Sequence, residues 1–377
     1  MDRLRPRTHH SSNRPSDLGQ YFPVTLAPLN SSDRHPDPGI NWSQFEPVTG
    51  LPNYPTTNLV PYTEEYMLSI ERELGAHTVL SVNYVGTQSH RLLVLDEANP
   101  GNPSLCLFLS KLANLAPGQV RCGPFGEDST YRTSTGQVYE GTRGPLGSSF
   151  GSNANQATTG NSDYNALQIT LRHTGRRLNV LAGYTYSKSE DQSSNLGEEV
   201  NPLDPALSRA LSAFDVRHNL VVSYSYALPL EHFSRAANRW TQGWEISGIT
   251  HLTTGLPVTV VNYGDNSLLG AEPNGVNNYA VDEPDYSGGP LSLNRNLRNG
   301  LAYFNTSSFS ENVLGTPGTA GRRFFSGPGM NNFDVALVKN LRLTESKSLQ
   351  FRLEGFDAFN HAQFFGPLER WMETSTA

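Results

Sequence analysis

Between Phe214 and Pro229, Leu220, Val222, Tyr224, Tyr226 and Leu228 alternate with Asn219, Ser223 and Ser225. One set is apolar and aromatic, the other small and polar. Alternation at period two describes a strand whose two faces meet different surroundings. A run of about ten residues with aromatics near its end has the length that a tilted membrane-spanning β-strand needs.

The pattern recurs along the chain. Residues 1–62 are rich in Pro, Asn, Ser and Asp and carry no sustained period, so they are expected to be loop, with one short strand over Tyr21–Ala27. From residue 63, Tyr66, Leu68 and Ile70 alternate with Met67, Ser69 and Glu71, and a turn at Gly75-Ala76-His77 leads into Leu80, Val82 and Tyr84. After a Gly-, Ser-, Thr- and Asn-rich stretch over about 86–162, Leu167, Ile169 and Leu171 alternate with Gln168, Thr170 and Arg172. A turn at residues 174–177 then brings Leu178, Val180, Ala182, Tyr184 and Tyr186. A loop over about 188–214 precedes the strand described first, and a modest connection brings Trp244, Ile246 and Leu252. A last long loop, about 262–330, ends at Phe333, Val335 and Leu337, which turn through residues 344–347 into Leu349, Phe351 and Leu353.

Short and long connections therefore alternate. In an antiparallel barrel this puts short turns at one rim and long loops at the other, the asymmetry of bacterial outer-membrane barrels. The expected fold is an all-β, antiparallel transmembrane β-barrel of the outer membrane, present in part, as about eight to ten strands of a larger barrel. Thr254-Gly255-Leu256-Pro257 looks like a hairpin turn but would put the next loop on the wrong rim, so Pro257–Val261 is read as a kinked continuation of its strand. With strand directions assigned this way, Tyr66, Tyr84, Tyr164, Tyr184, Tyr186 and Phe333 fall at the loop rim, and Tyr224, Tyr226 and Trp244 at the turn rim. These are the expected lipid-interface aromatics. Gln168, Arg172, Glu245, His251, Asp334, Asn340, Gln350, Arg352 and Glu354 fall on the opposite faces, where a wet lumen tolerates their charges and amides. The expected domains are a loop-rich segment 1–62, a barrel portion 63–367 and a tail 368–377.

Composition agrees with this reading. Aromatic residues reach 10% while charged residues stay at 17%, and a net charge of −7 without a Lys/Arg cluster excludes nucleic acid as the expected partner. No stretch approaches the ~18 consecutive apolar residues of a membrane helix, and Met1 to Asn30 lacks the apolar centre of a signal peptide. Cys106 and Cys122 share one long loop and fit either a local disulfide, the favoured reading, or two thiols. No nucleophile elbow, phosphate loop or His-Glu-x-x-His helix is present, so neither catalytic residues nor a cofactor or metal are expected. His9, His10, His218 and His251 lack companions at metal spacing. Glu198-Glu199 and Asp282-Glu283-Pro284-Asp285 are read as solvated loop acids, and Arg352 and Glu354 as structural ion-pair partners of neighbouring strands.

Several blocks taken together resemble a known family: residues 60–74, 82–86, Tyr164 to Gln168, Tyr184 to Lys188, Gly243-Trp244, Gly255 to Pro257, Phe351 to Glu354 and Phe359 to His361. They are similar, in order, to the Oar-like TonB-dependent transporter β-barrel, over roughly residues 61–367. The loop around Cys106 and residues 122–127 also looks like that family. The resemblance implies an outer-membrane receptor of about 22 strands, within the range of such barrels, with a plug and a link to the TonB complex that energises transport. This chain departs from the pattern: plug, TonB-binding segment and signal peptide are not found, and residues 368–377 do not form a closing strand on a terminal aromatic. The expectation is thus the C-terminal part of a barrel with its last strand missing. Its expected partners are outer-membrane lipid, an unidentified extracellular cargo, and the TonB complex if the full-length protein supplies a plug. The competing readings are a plugless barrel or surface adhesion protein, and a secreted soluble β-sandwich binding module.

Overall fold

The computed structural model describes residues 46–50, 53–230, 240–262, 264–270, 282–289, 291, 293–294 and 301–364. The strand expected over residues 21–27, the tail 368–377, and His9 and His10 lie outside the described residues. Eight long strands form the wall: β1 (Tyr62–Glu73), β2 (Thr78–Glu97), β3 (Ala154–Thr174), β4 (Leu178–Asp191), β5 (His218–Ala227), β6 (Trp244–Thr253), β7 (Met330–Arg342) and β8 (Ser348–Gly355). Each pairs antiparallel with its neighbour in sequence, β1 through β8, in one ten-stranded sheet. Its two further members, Glu199–Val200 and Ala210–Leu211, sit off this path beside β2 and β4. Among the described residues no ladder joins β1 to β8, so the sheet is open and β1 and β8 are exposed along their whole length.

The register carries one apolar face across all eight strands. Tyr84 stands opposite Leu68 and Leu167, Leu171 opposite Leu80 and Ala182, Val222 opposite Ala182 and Thr250, and Leu337 opposite Ile246 and Leu353. Among the described residues no second sheet packs on this face. Leu68, Ile70, Phe351 and Leu353 stay more than half exposed. Such a contiguous apolar surface is what lipid requires and what a sandwich would bury. The soluble sandwich reading is therefore not the architecture found.

Tyr186 stands opposite His218, and Tyr226 lies eight positions further along β5. That is about 27 Å of strand at 3.4 Å per residue. At a tilt of about 40° it spans about 20 Å across the bilayer, close to the apolar band of about 25 Å. Two of the rings lie over cross-strand glycines: a Cβ on Gly86 would run into the Tyr66 ring, and one on Gly248 into the Tyr224 ring. Glycine at these positions lets each aromatic lie flat against the sheet.

Three expectations need correction. Tyr164 is not on the lipid side: it stands opposite Thr87 and Ser189 and shares the polar face with Gln168, because its parity along β3 is even while Leu167, Ile169 and Leu171 are odd. Strands β2 and β3 run past the expected loop limits, to Glu97 and from Ala154. There β3 is polar on both faces and β2 carries Leu92 to Leu95 on both faces without alternation, so periodicity is silent, while ladder bonds still form in water. Pro257–Val258 does not continue β6 but pairs with Phe325–Ser326 in a small sheet of the loop itself. The connections still alternate, with short turns at 74–77, 175–177 and 343–347, a longer connection on the same rim at 228–243, and long loops at 98–153, 192–217 and 254–329.

The face assignment makes a direct prediction. Val222→Arg puts a charge on the apolar face at mid-strand and is expected to cost about 2–4 kcal/mol. Ser223→Arg faces the polar side and should cost clearly less. Unfolding titrations in liposomes that gave equal losses would contradict the assignment.

Candidate functional site

The polar face gathers the charged and amide side chains of the wall. Gln168, Arg172, Glu245, His251, Asp334, Arg352 and Glu354 all stand on it, whereas Tyr66, Tyr84, Tyr184, Tyr186, Tyr224, Tyr226 and Trp244 all stand on the apolar face. A hollow of about 800 Å³ lies against the polar face, lined by Arg172, Ser223, Ser247, Asp334, Arg352 and Glu354 among others. Arg352 Nε meets Glu354 Oε1 at 2.7 Å, so this pair closes within β8 rather than with neighbouring strands. Ser225 Oγ donates to Glu245 Oε1 at 2.7 Å, and His251 Nε2 lies 2.9 Å from Asn219 Oδ1. Asp334 accepts from the Asp357 N–H at 2.9 Å.

The interface aromatics find partners for their polar tips, as half-buried rings should. Tyr84 Oη donates to Asn165 Oδ1 at 2.7 Å, and Tyr184 Oη lies 2.8 Å from His218 Nδ1. Lys339 Nζ sits 5.1 Å over the Trp244 ring and donates to the Trp240 and Gln242 carbonyls. A lysine on the apolar face at the turn rim thus keeps its charge at backbone oxygens rather than in hydrocarbon.

Above the wall the three long loops interlock. In the first, α1 (Pro103–Lys111) starts at the Asn102 cap, whose Oδ1 accepts from the Leu105 N–H at 3.0 Å. A disulfide joins Cys106 on this helix to Cys122. Around it Leu109 and Tyr131 are buried, and Leu268 from the third loop inserts among them with no exposed surface. The Gly101 N–H donates to the Leu269 carbonyl at 2.6 Å, and Arg143 donates to the Gly270 carbonyl at 3.2 Å. The second loop meets the third through charge: Arg322 pairs with Asp191 and Glu198, and Arg323 with Glu198.

The loop acids are therefore not solvated, as sequence had suggested. Glu198 is held below its usual range: burial works against its charge, but hydrogen bonds from Arg323 and the Ser194 N–H outweigh it. Asp282 is 9% exposed and accepts from the Ser267 N–H at 2.7 Å and Asn312 Nδ2 at 3.0 Å; burial raises it nonetheless. Sequence reasoning also missed Glu127, which burial and the facing Asp265 carboxylate push up to about 9. Asp265 Oδ2 accepts from the Phe125 N–H at 3.1 Å and its Oδ1 from the Gly270 N–H at 3.1 Å. The proton therefore stays on Glu127, which binds the Asp265 carboxylate across the two loops. The one readable signal was the adjacent Arg322-Arg323 pair, opposite in sign to Glu198-Glu199.

These features meet in one architecture: an open antiparallel wall with a lipid face, a wet face and loops of unequal length. The family model for the outer membrane beta barrel domain matches residues 6–377. This chain belongs to that outer-membrane β-barrel family. No curated protein matches it. Among solved structures it is similar to the outer membrane transporter YddB from Escherichia coli, at 9% identity and a TM-score of 0.38. That match covers 85% of this chain and 32% of that one. A likeness at this level carries no argument about activity. Family membership makes the outer membrane the location of the barrel.

The Glu127–Asp265 contact predicts a pH dependence. Glu127 binds its proton more tightly in the docked state than its ordinary value of 4.5, so its contribution to docking is full below about 4.5 and is lost as pH rises toward about 9. Hydrogen exchange at the Gly101 amide, corrected for intrinsic rate, should show protection falling over this window. Glu127→Gln should hold protection near its low-pH level. The same slope in both chains would contradict the assignment.

Proposed function

We propose that this barrel is the wall of an outer-membrane transporter of the TonB-dependent, Oar-like type, taking a cargo from outside the cell through the polar lumen. The supporting observation is the lumen wall: its Arg, Asp and Glu side chains border a hollow of about 800 Å³ rather than a packed core. A small structural barrel fills its interior with side chains, and an adhesin needs recognition groups only on its outer loops. The resemblance of the ordered blocks, from residue 60 to His361, supports the coupling to TonB, with the plug supplied by the full-length protein. Interlocked loops fit the same role, since a receptor needs a preorganised mouth.

The test is cargo depletion. Wild-type cells, cells lacking this gene and cells lacking TonB are grown in the same complex medium, and spent media are compared by mass spectrometry. A compound removed by wild type and left by both deletion strains is the expected result. If the three media are indistinguishable, the transport reading falls. A compound left by the gene deletion but removed without TonB would leave a passive barrel.

A further inference from the structure

A second hollow, of about 270 Å³, lies at the loop rim of the polar face, lined by Tyr164, Gln168, Thr185, Ser187, Asp215 and Asn219 among others. Gln168, Thr185 and Asn219 form one register row across β3, β4 and β5, and Tyr164 stands two rows above, opposite Ser189. We propose that this hollow recognises a primary ammonium group on the cargo, with Asp215 as its counter-charge. The inference rests on the transporter reading and names the chemistry of what enters.

Asp215 is the decisive residue. It is 2% exposed, and its Oδ1 accepts from the Ser189 N–H at 2.7 Å. Its Oδ2 is buried and has no hydrogen-bond partner. A buried carboxylate oxygen left unmet is costly and calls for a donor. The carboxylate is also fixed in place. The Asp215 N–H donates to the Ser212 carbonyl at 2.9 Å, Ser189 Oγ lies 2.8 Å from Ser212 Oγ, and Ser187 Oγ donates to the Val216 carbonyl at 2.8 Å.

The rest of the lining supplies hydroxyls and amides, which can accept as well as donate, and no cation. Among the described residues no Lys or Arg lines the hollow, and the side chains of Tyr164, Gln168 and Thr185 make no hydrogen bond to the protein. An ammonium carries three donors and no acceptor, which suits one carboxylate surrounded by hydroxyls and an amide oxygen. Among the described residues no three His, Cys, Asp or Glu side chains are placed to hold a metal ion. The volume equals about nine waters at about 30 Å³ each, room for an amine with several carbons. The exposed Phe214 ring stands at the edge, and the Tyr164 ring in the wall, as faces a cation can approach.

The test is calorimetric titration of the full chain, folded in detergent, with glucosamine, putrescine and N-acetylglucosamine. Saturable binding of at least one amine and none of the neutral amide is expected. Asp215→Asn keeps the bond from the Ser189 N–H and should weaken amine binding about ten- to a hundredfold, the range for a bond to a charged group. Gln168→Leu should weaken it less, and serves alone if Asp215→Asn loses the heat-modifiable gel band of the folded barrel. A folded chain that binds neither amine, that binds N-acetylglucosamine equally, or that is unaffected by both substitutions would overturn the proposal. Because no energised transport enters this measurement, binding without cargo depletion in cells would remove the transporter reading and leave the site. Depletion of a neutral cargo without amine binding would do the reverse.

Discussion

In hydrocarbon an unpaired peptide group costs several kcal/mol, and the arrangement of this wall follows from that penalty. Helices or closed ladders are the available solutions, and this chain has strands of two-faced sequence. Each strand from β2 to β7 is bonded on both sides, which consumes the backbone and leaves side chains alone to meet lipid or water. The same constraint bears on β1 and β8. Their outer edges carry the groups that lipid will not accept bare, so in the membrane each edge must meet another strand. β1 runs toward the turn rim and β8 away from it, so either edge can accept an antiparallel neighbour with the apolar face kept outward.

Water relaxes the constraint above the rim, and the loops use that freedom. There the chain bonds through carboxyls, guanidinium groups and backbone carbonyls over sequence distances of more than a hundred residues. The third loop is the common partner. It gives Leu268 to the disulfide core of the first loop and Arg322 and Arg323 to the acids of the second. Buried ion pairs of this kind are costly to break singly, because the surviving charge is left without its partner. A cap joined in this way moves as a unit more readily than loop by loop.

The sequence disclosed the wall well because its signal is local. Alternation of Leu, Val and Tyr with Ser, Thr and Gln needs only neighbours two apart, and it assigned Arg172, Glu245 and Asp334 to the face on which they are found. It misplaced Tyr164 because aromatic type was weighed above parity, and the parity of Leu167 would have corrected it. The loops were opaque for a different reason. Glu198, Asp282 and Glu127 look alike as loop acids, and what separates a salt-bridged, a hydrogen-bonded and a protonated carboxyl is a partner far away in the chain. No period marks such a partner.

The buried loop acids also show why Asp215 stands apart. Glu198 has two arginines, Asp282 has an amide and a backbone donor, and Glu127 keeps a proton. In each the fold itself answers the charge. Asp215 is answered on one oxygen by the Ser189 N–H, its other oxygen has no hydrogen-bond partner, and the residue lines a hollow of hydroxyls and amides. Asp96 Oδ1 and Glu127 Oε1 are buried without a hydrogen-bond partner as well, and Asp215 differs from them in lining the hollow at the loop rim of the polar face, where a donor from outside can approach.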